Sequence, residues 1–160
     1  MKTSYLFPSR FRLWGLILTI IALLLAVYSE VNEGIPFLKQ IPVLALVDSG
    51  IPFSTRPDTS FFKIIKDDFD FELISILFIL GGFLLGFSRQ KIEDEYINQI
   101  RLQSLLIATY VHFAIFIFLM LSFYGLDYLY VMMINMFTIL WFFNLVFYYK
   151  LFRLKRQMTS

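Results

Sequence analysis

Residues 102–123 read LQSLLIATYVHFAIFIFLMLSF, with no acid, lysine, arginine or proline. The hydrocarbon core of a bilayer is about 30 Å thick, and about 20 mostly apolar residues of helix cross it. This stretch therefore spells a membrane-spanning helix. Three companions lie at 11–29 (FRLWGLILTIIALLLAVYS), 72–88 (ELISILFILGGFLLGFS) and 129–149 (LYVMMINMFTILWFFNLVFYY). None contains proline, which predicts four unbroken helices. The first has Lys2, Arg10 and Arg12 before it and Val27-Tyr28-Ser29 near its end, a pattern shared with signal peptides. It is read here as a retained span.

Composition agrees with the spans. Of the 160 residues, 59% are hydrophobic, 19% aromatic and only 16% charged, and the mean hydropathy is +0.73. A soluble fold of this size needs more polar surface than that. A cytosolic globular enzyme, a disordered chain and a nucleic-acid binder are excluded. With no cysteine there is neither a disulfide framework nor a thiolate ligand or nucleophile. The expected architecture is all-α: a four-transmembrane-helix bundle with the lipid bilayer as its first partner.

Basic residues set the expected orientation. Ten of the 14 lie in three places: Lys2, Arg10 and Arg12 at the start, Arg89, Lys91 and Arg101 in the second loop, and Lys150, Arg153, Lys155 and Arg156 at the end. Loop one scatters Lys39, Arg56, Lys63 and Lys66 among a surplus of acids, and the short third loop has no basic residue. Both termini are thus expected in the cytoplasm, with loops one and three outside. Tyr124, Tyr128 and Tyr130 mark the outer interface, and Trp14, Tyr148 and Tyr149 the inner one.

The outer loop, 30–71, holds four of the five prolines, so it is no long helix. Val43–Val47 before Asp48-Ser49-Gly50 reads as a strand entering a turn. Phe61–Lys66 reads as a short helix lying on the membrane surface. The loop as a whole is either an ordered lid packed on the bundle, the favoured reading, or a cap that binds a ligand or partner. Asp67, Asp68, Asp70 and Glu72 lack calcium-loop spacing and suit a helix N-terminus instead.

The segment Arg89–Arg101 has no glycine or proline and carries charges spaced i, i+4 at Arg89/Glu93 and Lys91/Glu95. It is expected to open the third helix and project about 20 Å into the cytosol. Ile92, Tyr96 and Ile100 would share one face there, available to a protein partner or to the chain's own termini. The run GFSRQKIEDEYINQIRLQS (86–104), together with Asn135–Thr138, resembles a group of small uncharacterised inner-membrane proteins from Bacteroidota. That resemblance implies a bacterial inner membrane and a four-helix architecture. It implies no activity.

Small residues and intramembrane polar groups complete the reading. Gly15, Thr19, Ala22 and Ala26 form one stripe on the first span, and Ser75, Gly82 and Gly86 one on the second. These stripes are expected to meet, although Gly82-x-x-x-Gly86 also suits the seam of a homo-oligomer. His112 is the lone histidine and sits near mid-span, with Arg101, Ser104 and Ala108 on its face. Counting back across the third loop sets it level with Thr138 to Trp141, so a bond to Thr138 or Asn135 is expected. Asn144 points elsewhere. One histidine without cysteine or a buried carboxylate makes neither a metal site nor a catalytic triad, so no cofactor and no enzyme are expected. A non-enzymatic accessory protein is the leading expectation. The alternative is an oligomeric transporter with a polar path past Arg101, Ser104, His112, Asn135 and Thr138.

Overall fold

A computed structural model of the chain describes residues 6–48, 60–90 and 95–159. Its elements in order are α1 (Phe11–Val31), a single 3₁₀ turn (Pro36–Leu38), β1 (Ile41–Asp48), β2 (Ser60–Asp67), α2 (Asp70–Phe87), α3 (Glu95–Ser122), α4 (Leu126–Asn135) and α5 (Thr138–Thr159). Among the described residues four helical stretches are long and apolar enough to cross a membrane, the fourth being α4 and α5 together over Leu126–Gln157. Only 11 to 22% of each such window is buried within the protein. The rest of that apolar surface faces outward, as a lipid-facing protein requires.

The fourth stretch departs from the expected unbroken helix. Met136 and Phe137 form a tight turn in which the Phe137 amide donates to Ile134 at 3.1 Å, three residues back instead of four. The Thr138 hydroxyl then folds back onto the Asn135 carbonyl at 2.8 Å. A 3₁₀ step followed by side-chain back-bonding interrupts the helical ladder without any proline.

The chain divides into two compact units, Met1–Ile20 with Leu77–Ser160, and Ile21–Ile76. In the first, α3 packs along α5 through Ile97, Ile100 and Ala108 on one side and Phe143, Phe147 and Leu151 on the other. Phe87 joins them, its ring 5.1 Å from that of Phe143. The segment after α2 is extended where a helix is expected. The Phe7 amide donates to Phe87 at 3.0 Å and the Arg89 amide to Phe7 at 2.9 Å, giving a parallel bridge between Phe7 and Ser88. Backbone committed to that bridge cannot also open a helix, so Arg89 and Gln90 are not helical and helical structure is described from Glu95. Lys91, Ile92 and Glu93 lie outside the described residues, and with them the two expected charge pairs.

In the second unit the end of α1 turns at Gly34, whose φ of +104° suits a residue without Cβ. Its amide donates to Ser29 at 2.8 Å, closing the helix end. β1 and β2 pair antiparallel from Ile41↔Asp67 to Asp48↔Ser60. The expected strand at 43–47 is therefore present. The expected surface helix at 61–66 is instead the second strand of this hairpin. Two bulky apolar residues followed by a lysine, repeated once, suit either structure; here an in-register partner and the β-branched Ile64 and Ile65 favour the strand. The acids beyond it are structural ties. Asp68 accepts from the Gln40 amide at 3.0 Å, and Asp70 from the Ser29 hydroxyl at 2.8 Å.

Candidate functional site

The intramembrane polar residues sort into two clusters on α3. Near its start, Arg101 is buried at 5% exposure. Its guanidinium donates to Asn98 Oδ1 at 2.9 Å and to the Ser88 carbonyl at 3.4 Å, and lies 5.1 Å over the Phe147 ring. Hydrogen bonds and an aromatic face together make such a burial tolerable. About three turns further on, His112 Nδ1 lies 2.6 Å from Thr138 Oγ1. The threonine oxygen is also 2.8 Å from the Asn135 carbonyl and 3.1 Å from Asn135 Oδ1. One hydroxyl carries one proton, so Thr138 donates to one of the two Asn135 oxygens and accepts from His112 when Nδ1 carries the imidazole proton. The sequence count across the short third loop thus places His112 against the right neighbour.

These clusters do not merge. Eleven residues of helix separate Arg101 from His112, about 16 Å along the axis. Ala108 on α3 and Phe143 on α5 fill the interval, each at 1% exposure or less. Ser104, also fully buried, donates to its own helix at Ile100, 2.7 Å away. Of the expected polar residues Arg101, Ser104 and Asn135 are buried and His112 and Thr138 half-buried, and they form separate local contacts in place of a line.

The glycines are used differently from the expected pairing. A Cβ on Gly15 would stand 2.8 Å from the Gly81 carbonyl oxygen, and one on Gly81 would stand 2.7 Å from the Thr19 backbone nitrogen. Helices α1 and α2 therefore meet backbone to backbone at Gly15, Thr19 and Gly81. Gly82 and Gly86 face α5 instead: a Cβ on Gly82 would meet Leu140 at 2.5 Å, and one on Gly86 would meet Phe143 and Asn144. The Gly82-x-x-x-Gly86 pair is neither the seat of α1 nor an open oligomer seam, because the chain's own α5 covers it. Asn144 bonds from that side to the Gly82 carbonyl at 3.1 Å and to Leu140 at 2.9 Å. Further along the stripes, Ala22 is fully buried, Ala26 half-buried and Ser75 buried.

One cluster was not legible as a unit in the sequence. Arg12 of α1 donates to Gln90 Oε1 at 2.6 Å, and the Tyr148 phenol of α5, which lines the same cleft as both, donates to the Leu85 carbonyl of α2 at 2.9 Å. Three side chains that carry no shared motif thus tie α1 to the segment after α2, and α5 to α2. Arg12 and Tyr148 had signals of their own, but for topology and interface only.

Among the described residues no three His, Cys, Asp or Glu side chains are grouped to hold a metal ion, and the chain has no cysteine. No catalytic constellation is present among them. Comparison with protein-family models, curated proteins and solved structures gave no match. The class these observations define is a hydrophobic four-helix membrane protein.

Proposed function

We propose that the chain is a non-enzymatic accessory protein of the bacterial inner membrane, multi-pass with both termini cytoplasmic, that engages a membrane protein partner through its first loop on the extracytoplasmic side. The observation that carries this reading is the β1–β2 hairpin. Leu44 and Ile64 stand directly opposite each other, Leu46 shares the face of Leu44 by strand alternation, and Phe62 follows at a φ of +53° that interrupts the alternation of β2. All four are between 61 and 73% exposed. An isolated two-stranded hairpin is marginal in water, and a bare row of large apolar side chains marks a surface meant to be covered. At roughly 1.5–3 kcal/mol for a fully buried side chain, covering these four returns about 1–2 kcal/mol each.

The other expected docking surface is already occupied in part. Ile97 and Ile100 of the 89–101 segment pack against the chain's own α5, which leaves the hairpin as the larger unused face. Transport draws less support, since the polar residues form separate ties with buried Ala108 and Phe143 between them. Orientation rests on the basic residues of the termini and second loop, and the bacterial setting on the resemblance to the Bacteroidota group.

Site-specific photocrosslinking in native membranes tests the proposal. A photoreactive residue at Leu44 should capture one dominant protein, and one at the exposed Tyr96 should not. Capture of lipid alone, or of this chain alone, from Leu44 would overturn it.

A further inference from the structure

A second feature lies at the opposite pole of the molecule's chemistry. A cleft of about 420 Å³ is lined by Arg12, Gln90 and Tyr148, with Lys155 on one side and Leu16 and Phe152 among its walls. No carboxylate lines it among the described residues. A second cleft of about 390 Å³ adjoins it through the shared walls Leu85 and Tyr148 and is almost wholly apolar, with Phe78, Leu140, Trp141 and Leu145 around it. Taken end to end along α5, the two clefts present a lining that is cationic at one end and hydrocarbon-like along the rest. From Lys155 to Trp141 it runs 14 residues of α5, about 21 Å. Half a bilayer, headgroups included, is about 20–22 Å thick.

We propose that this groove holds one anionic phospholipid, its phosphate between Arg12 and Lys155 and an acyl chain along α5 toward Trp141. The chemistry is specific at both ends. A guanidinium has five N–H donors, and Gln90 Oε1 takes one of Arg12's while fixing the group in place. Arg12 is thus aimed and still able to bind a phosphate oxygen. Tyr148 spends its proton on Leu85, so it contributes the groove wall rather than a headgroup donor. Lys155 brings the second cation. A zwitterionic headgroup would set its ammonium against two cations, so the groove discriminates by net charge. Basic pockets between membrane helices favour acidic headgroups on these grounds.

Native mass spectrometry of the detergent-purified full chain, titrated with dioleoyl phosphatidylglycerol or dioleoyl phosphatidylcholine, reads the result. The wild type should retain one phosphatidylglycerol at concentrations about tenfold below those at which phosphatidylcholine binds. Arg12→Gln and Lys155→Gln should each weaken phosphatidylglycerol retention about fivefold, the factor equivalent to about 1 kcal/mol for one basic residue at an anionic surface. Arg153→Gln, an exposed cation on the same helix but outside the cleft, is the control and should change nothing. The wild-type selectivity stands as a test even where a variant fails to fold. Equal retention of both lipids would overturn the proposal. So would an Arg153→Gln loss as large as the other two, which means diffuse surface charge, or displacement of the lipid by excess inorganic phosphate, which means a soluble-anion site.

Discussion

Gly81 and Gly82 are neighbours in sequence with opposite duties, and an alanine at each separates them. At Gly81 the new Cβ falls 2.7 Å from the Thr19 backbone nitrogen and 3.1 Å from the Gly15 carbonyl oxygen. Ordinary contact needs about 0.7 Å more at the nitrogen, and backbone cannot rotate away, so α1 and α2 must separate. Overpacking of this kind costs about 1–3 kcal/mol. Against this, alanine gains up to about 1 kcal/mol of helix propensity over glycine. The net loss is about 0–2 kcal/mol. At Gly82 the new Cβ meets only the Leu140 side chain, at 2.5 Å. Leu140 relieves that contact by shifting its rotamer for about 0.5–1.5 kcal/mol, which the helix gain offsets. Gly81→Ala should therefore have the lower folded-to-unfolded ratio, by up to about 30-fold. Reversible unfolding in mixed micelles, titrated with dodecyl sulfate and followed by circular dichroism, measures this directly. An equal loss in the two variants, or a larger one in Gly82→Ala, would refute the assignment of Gly81 to α1 and Gly82 to α5.

Two further outcomes follow from the same contacts. His112→Ala should destabilise the bundle by about 0.6–1.7 kcal/mol, the range for a hydrogen bond between membrane helices; the same micelle titration checks it, and a loss near zero would mean that the Thr138 contact holds nothing together. Single cysteines at Leu44 and Arg153 should label from opposite faces of intact membranes, with the hairpin side extracytoplasmic, and labelling from one side would contradict the span count.

The spans were legible because lipid imposes a length and a polarity that few sequences meet by accident. The His112–Thr138 contact was legible for a related reason: a short third loop leaves little freedom in how α3 and the following span align. What escaped depended on choices that single residues do not encode. Phe61–Lys66 suits a surface helix or a strand until β1 supplies a partner. No glycine or proline announces the break at Met136–Phe137; it comes from a threonine hydroxyl folding onto a carbonyl. The x-x-x spacing of Gly82 and Gly86 drew attention away from Gly81, although one residue is 100° of helix and therefore a different neighbour. Arg12, Gln90 and Tyr148 lie on separate elements with no common spacing, and only the fold assembles them.

The hairpin bears the weight of the functional account, and one measurement addresses it most directly: co-purification of the Leu44-linked partner with a Leu44→Ser, Ile64→Ser double variant, set beside its unfolding midpoint. Both side chains are more than 60% exposed, so the midpoint should stay within about 0.5 kcal/mol of the wild type, as surface substitutions do. Partner recovery should fall to background. Undiminished recovery, or a collapse of stability that marks the face as part of the protein's own core, would contradict the account.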